Sequence, residues 1–450
     1  MSRPAVRASL MTAAVVLVQL AWILTLPPFR GVDEFDHAYR AAAVAHGQWL
    51  PRSSAHVRGH GEYVEVPPSL VRAARPVCET YSYTGPDNCR GADRVGGYVE
   101  VASGAARYNP VYYWLVGTPA SLFSGTANVY ALRVVASLIC AVFVWGAGYA
   151  LAVGFRTAWP LLGAAAALTP VFVYSTSIGA PNGVEMTSGL ALWSALLALR
   201  SRRLPPGVER RLLAVASVSA CVLVTTRLLG PLWLLLILMV ALPAVGRERG
   251  RELVRGHRRA TTIGGTAVLL ATGAALAWTR IAAPNAISRE ENLHFHHPLL
   301  SSLSDLPLWL LQSLAAFPAR NEPAPTLVYG TAAAALLVVL GLAAAGLTRR
   351  HWAVLGLVLL VWLGVQLAIT VRTYAQLGSV WQGRYALPFV VGVPVLVTAW
   401  ADQRRQRGPR AVLVAVVAIL AVTAHAVSVV HVLRGELRSS PLAGSPEWLT

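Results

Sequence analysis

Lysine is absent from all 450 residues, so arginine supplies every one of the 38 basic side chains. A GC-rich genome is the simplest origin of that bias. Charge as a whole is scarce: 13% of residues are charged and 55% are hydrophobic, where a soluble domain carries about 25% charged residues. A deficit spread over the full length excludes a soluble protein with an appended anchor. Acids are scarcer still, 20 Asp and Glu against 38 Arg, for a net charge of +18. Such an excess can mark a nucleic-acid binder. Here, however, the arginines cluster in short segments between apolar runs, where the positive-inside rule puts them, and nucleic acid is not an expected partner. Low-complexity sequence and an inverted repeat of the transporter kind are also lacking.

The rest of the sequence is apolar runs long enough to cross about 30 Å of hydrocarbon as helices. Eleven spans are predicted, at about 10–27, 127–153, 157–177, 184–200, 210–227, 229–246, 261–282, 326–347, 351–371, 385–401 and 410–433. No small-residue cleavage pattern follows the first run, so it reads as a retained helix rather than a signal peptide. Arg3 and Arg7 before it place the N-terminus inside. The alternate loops "GFRT", "SRRLPPGVERR", "RERGRELVRGHRR", "RRH" and "DQRRQRGPR" are then cytoplasmic and nearly all Arg-rich. Most Asp, Glu and His falls on the opposite face. The expectation is an all-α polytopic protein of the cytoplasmic membrane, 1–450 forming one integral-membrane domain. Two long outer loops, 28–126 and 283–325, and an outer C-terminal tail, 434–450, complete it. The short apolar pieces 108–123 and 303–317 are predicted to be interfacial helices.

There are only four cysteines. Cys140 and Cys221 lie in apolar runs and read as buried hydrophobes, whereas Cys78 and Cys89 share the first outer loop and are predicted to form a disulfide.

The densest cluster of titratable groups follows the first span, in "VDEFDHAYR". With 32–46 read as helix, Asp33 and His37 are i,i+4 neighbours, Asp36 and Arg40 form a second such pair, and Glu34 points about 100° away. Asp36 thus has a structural partner and Asp33 does not. A partly desolvated carboxylate at a membrane edge suits a general base; an acidic first turn favoured by the helix dipole is the plainer alternative. In the second outer loop, "REENLHFHHP" pairs Glu290 with His294 on a helix or His294 with His296 on one face of a strand, a spacing that matches no strong metal motif.

Three patches carry a resemblance: Asp33-Glu34-Phe35-Asp36-His37, Tyr108-Asn109-Pro110-Val111-Tyr112-Tyr113 and Gln382-Gly383-Arg384-Tyr385-Ala386-Leu387-Pro388. With the span pattern, they resemble a bacterial family of polytopic membrane proteins of unassigned function. That family is in turn similar to the GT-C superfamily of integral-membrane glycosyltransferases. The resemblance implies a GT-C-like fold and an acid just after the first span. Two positions depart from it: Val32 stands where a proline is expected, and Pro181-Asn182 where Pro-Asp is expected. The amide leaves Glu185, one turn on, to supply a second acid, and leaves a divalent metal open.

Sugar transfer on the outer face needs a lipid-borne donor, such as a polyprenyl-phosphate sugar, and a glycan, lipid or protein acceptor in the envelope. Asp33 is the candidate base, with Glu34 and His37 beside it. Arg384 is the candidate cation for the departing phosphate, with Arg372, Gln382 and Tyr385 around it, since arginine binds phosphate through a planar fork. Gly383 would permit close approach of substrate, and Arg227 and Arg280 are weaker cation candidates. Asp36, Arg40, Tyr112, Tyr113, Asn182, Glu185, His294 and His296 complete the set. The competing readings are a lipid-linked glycan flippase and a non-catalytic scaffold. A pump predicts ionisable groups within the spans, where Arg133 and His425 are the exceptions to an almost uncharged interior.

Overall fold

All eleven predicted spans are largely helical in the computed structural model, which describes residues 3–52, 61–80, 86–282, 297–318, 322–377, 381–404 and 407–439. The first helix, α1 (Arg3–Thr25), stops at Leu26-Pro27-Pro28, because proline cannot continue an α-helix. The first outer loop then folds as α2 (Glu34–Ala45), β1 (Glu62–Val66), α3 (Pro68–Thr80), α4 (Pro86–Cys89), β2 (Val99–Ser103) and α5 (Pro110–Ala120). The two strands pair antiparallel from Glu62 opposite Ser103 to Val66 opposite Val99. This two-stranded sheet is an addition in the first outer loop to a chain that is otherwise helical, as expected. Its signal is the β-branched alternation in "EYVEV" and "VEVAS".

The next stretch runs through α6 (Thr126–Gly154), α7 (Trp159–Ala167), α8 (Pro170–Ser175), α9 (Asn182–Leu199), α10 (Pro206–Thr226), α11 (Gly230–Val245), α12 (Arg247–Gly256) and α13 (Arg258–Ile281). The short helices α14 (Pro298–Ser304) and α15 (Leu306–Leu314) lie in the second outer loop. They precede α16 (Thr326–Ala344), α17 (Arg349–Leu377), a 3-10 turn (Gly383–Ala386), α18 (Leu387–Val390), α19 (Gly392–Gln403) and α20 (Ala411–Ser439). The last helix extends well into the predicted tail.

Among the described residues, seven segments are long and apolar enough to cross a membrane: α1, α6, α13, α16, α17, Gly383–Gln403 and α20. An eighth is counted if α11 and α12, bent 95° to one another, form one span. The expected eleven exceeds this for local reasons. The 157–177 segment breaks at Thr169-Pro170 into α7 and α8, α9 is buried along its whole length, and α10 opens with Glu209, Arg210 and Arg211. The break leaves the Leu168 carbonyl without a helical partner, and His425 Nε2 meets it at 3.1 Å.

The loops sort into two contact groups. On one face the Asp402 carboxylate accepts from the backbone N–H groups of Arg156 and Thr157, His351 stacks on Trp400, and Arg249 donates to the Leu199 and Ser201 carbonyls. On the other face Arg30 pairs with Glu436 at 2.7 Å, so the C-terminal ends of α1 and α20 lie together. A large core surrounds α6, α9 and α19. A smaller aromatic one, built on Trp22, Tyr174 and Phe317, lies beside Val32. Cys89 is disulfide-bonded and Cys140 and Cys221 are free; the Cys78 side chain lies outside the described residues.

Candidate functional site

Segments from distant parts of the chain meet where α1 ends. Tyr174 in α8 holds the chain leaving α1: its hydroxyl accepts from the Val32 N–H at 3.1 Å and donates to the Pro318 carbonyl at 2.7 Å. The next residue, Asp33, has φ 56° and ψ 16°, the left-handed region that aspartate tolerates better than most residues. Asp33 stands at the N-cap of α2, yet its side chain caps nothing. It reaches instead to Arg384 Nη2, 3.5 Å away and 351 positions on in sequence. The Asp33 side chain is 53% exposed and that of Arg384 3% exposed. Two other guanidinium nitrogens of Arg384, Nε and Nη1, are buried and have no hydrogen-bond partner among the described residues.

Beside this pair lies a second one. Arg227, just past the end of α10, contacts Glu185 of α9 at 3.6 Å. Its guanidinium sits 4.7 Å from the centre of the Tyr385 ring, with Arg384 5.6 Å from the same ring, and its charge acts on Tyr108 nearby. Two arginines, two carboxylates and two tyrosines thus converge at one end of the helix assembly.

The remaining acids and bases near Asp33 are committed elsewhere. Glu34 is fully buried in a two-pronged pair with Arg133, Nε to Oε1 at 2.7 Å and Nη2 to Oε2 at 2.6 Å. Gly179 and Gly31 N–H groups fill its remaining acceptor positions. Burial alone would raise the Glu34 pKa, but Arg133 and the two N–H groups outweigh it and hold the carboxyl below its usual range. The geometry therefore removes Glu34 from the expected reactive set. Arg133 also donates to the Leu26 and Pro27 carbonyls, closing the end of α1.

His37 does not orient Asp33. Its Nδ1 shares a 2.8 Å hydrogen bond with the Tyr113 hydroxyl. Burial first, then the nearby Arg227 and Arg384, pushes its pKa down to about 3, so the ring is neutral. The predicted Asp36–Arg40 pair does not form either. Arg40 donates to the carbonyls of Gln48, Trp49 and Tyr108, while Asp36 accepts from the Gly104 N–H at 2.5 Å. Enclosure, then the charge of Asp33, pushes the Asp36 carboxyl up to about 8.

Of the other predicted residues, Tyr112 and Tyr113 are buried edge-to-face in α5, Asn182 is buried at the start of α9, and Gln382 is buried beside the 3-10 turn. Arg372 is exposed on α17, with no ion pair to the cluster among the described residues, and Arg280 is exposed near the end of α13. His294, His296 and Glu290 lie outside the described residues. No group of three His, Cys, Asp or Glu side chains among the described residues is placed to hold a metal.

Gly383 serves packing rather than substrate approach. A Cβ there would strike the Trp309 carbonyl and the Ser313 hydroxyl of α15, and its N–H donates to Gln312 Oε1 at 3.0 Å. Tyr108 was missed by sequence reasoning although it opens the "YNPVYY" patch. Arg227, ranked low from sequence, is a full member of the cluster.

No curated protein matches the chain, and no solved structure does. A family model described as "Predicted membrane protein (DUF2142)" matches residues 16–393, and the chain belongs to that family of multi-pass membrane proteins.

Proposed function

We propose that this protein is a GT-C-type glycosyltransferase, a hexosyl- or pentosyltransferase working on the outer face of the cytoplasmic membrane. Its donor is a polyprenyl-phosphate sugar and its acceptor an envelope glycan, lipid or protein. The observation that carries this reading is the Asp33–Arg384 pair: a half-exposed carboxylate facing a buried guanidinium with two unused donors. Asp33 takes the proton of the acceptor hydroxyl as its oxygen bonds to the anomeric carbon. The bond from that carbon to the phosphate oxygen breaks, and the electron pair leaves with polyprenyl phosphate. Arg384 stabilises the charge that develops there. Arg227, paired with Glu185, packs on the Tyr385 ring and through it steadies the 3-10 turn that carries Arg384.

In this reading all eleven helical segments cross the membrane. Those too polar or too broken to face lipid alone are sheltered by the rest, as irregular backbone at membrane depth requires. The N-terminus is inside and the C-terminus outside. A proton-coupled pump is disfavoured, because Arg133 is locked to Glu34 and His425 meets a freed helix carbonyl, which leaves neither as a carrier. The test is to compare lipid-linked sugars and envelope glycans with and without the gene. A missing glycan with accumulated donor is the expected outcome; unchanged pools of both would refute the assignment.

A further inference from the structure

The two arginines that meet Glu34 and Asp33 use their forks differently. A guanidinium has two edges that can grip an anion with two parallel bonds, the side edge Nε–Nη2 and the end Nη1–Nη2, and Nη2 belongs to both. Arg133 grips Glu34 by its side edge, Nε and Nη2. Arg384 leaves that edge unfilled, with Nε and Nη1 buried and unpartnered and Nη2 in a single 3.5 Å contact with Asp33. Any two-pronged ligand of Arg384 must take Nη2, the atom Asp33 now holds.

We infer that Asp33 is a displaceable occupant of the Arg384 fork: a single phosphoryl group gripping Arg384 drives the Asp33 carboxylate off Nη2. This inference rests on the phosphate reading above and deepens it. Charge accounting points the same way. Arg384 and Arg227 each face one carboxyl group, Asp33 and Glu185, and an incoming phosphate brings to Arg384 a like charge that repels Asp33 as it binds. The left-handed turn at Asp33 sits at the open entrance of α2, where its carboxylate is already half in solvent and can swing clear. Displacement would couple donor binding to release of the base, so that Asp33 is free only when there is a sugar to transfer.

The experiment measures binding of farnesyl phosphate, inorganic phosphate and farnesol to the full-length protein in detergent at neutral pH. Asp33→Asn keeps the shape and removes the competing charge; it should bind farnesyl phosphate about three- to fivefold tighter than wild type, the scale of a partly exposed ion pair. Asp33→Ser is the second variant, with the same expected direction. Arg384→Gln should lose at least about tenfold in affinity. Asp93→Asn removes an exposed acid paired with Arg75 and should leave binding unchanged, which separates displacement from a general change in net charge. Preference for farnesyl phosphate over inorganic phosphate assigns the lipid-borne source. If both Asp33 variants bind with wild-type affinity or weaker while Arg384→Gln loses binding, displacement is wrong and the phosphate site stands. If farnesyl phosphate binds no better than farnesol, or Arg384→Gln binds as wild type, both ideas fall.

Discussion

Asp33 and Glu34 are adjacent in sequence and each meets an arginine from far along the chain, yet the two pairs are opposites. Glu34 and Arg133 are both fully buried, joined by two short bonds, with backbone N–H and C=O groups filling the rest of each side chain. Asp33 and Arg384 touch once at 3.5 Å, one partner half in solvent and the other holding two unused donors. The first pair has every prong satisfied and nothing to offer a ligand. The second has a half-exposed carboxylate and a buried fork with two donors unused. Completeness of hydrogen bonding, rather than the presence of charge at a membrane edge, separates scaffold from candidate site.

That contrast can be broken from either side. The largest effect should come from the sealed pair: Glu34→Ala leaves Arg133 buried without its counter-charge, at a cost of about 3–5 kcal/mol. Thermal unfolding in detergent and the yield of folded protein read it directly, and a melting temperature equal to wild type would show that the pair is not structural. Next, Asp33→Asn should lower transfer by about 10²–10⁴-fold while changing stability by less than about 1 kcal/mol, since a partly exposed single contact is worth little. Arg384→Lys should also lose most transfer, because a point charge does not replace a planar fork; full activity would reduce Arg384 to a generic cation. The smallest effect concerns Asp36. Its carboxyl is pushed up to about 8 in the folded chain from an ordinary 3.8, so unfolding releases a proton between those values and stability falls as pH rises through that window. Asp36→Asn should flatten the decline in melting temperature across that pH range, and an unaltered slope would show that Asp36 does not titrate there.

Much of this was legible in the sequence, but unevenly. Apolar runs located every long helix because hydropathy is a local property. Fewer than eleven segments are long and apolar enough to stand as spans by themselves, because a proline splits α7 from α8 and α9 is wrapped by protein. Asp33 is legible from its place just after the first span, and Arg384 from the Gln382–Pro388 patch of the resemblance at another outer span end, although nothing in their spacing says that they touch. Glu34 was misplaced because i,i+4 reasoning sees only partners on the same helix, and its true partner lies 99 positions away. The same limit produced the Asp36–Arg40 pair: Arg40 serves carbonyls of a loop that helical spacing does not describe. The β1–β2 sheet escaped because two five-residue strands with 32 residues between them leave little periodic signal in a loop.

The most direct test of the central claim is the lipid-linked sugar pool in cells carrying Asp33→Asn at the wild-type level of membrane-inserted protein. The donor should accumulate and the envelope glycan should be lost, as on deletion of the gene. A donor pool and glycan indistinguishable from wild type would contradict it.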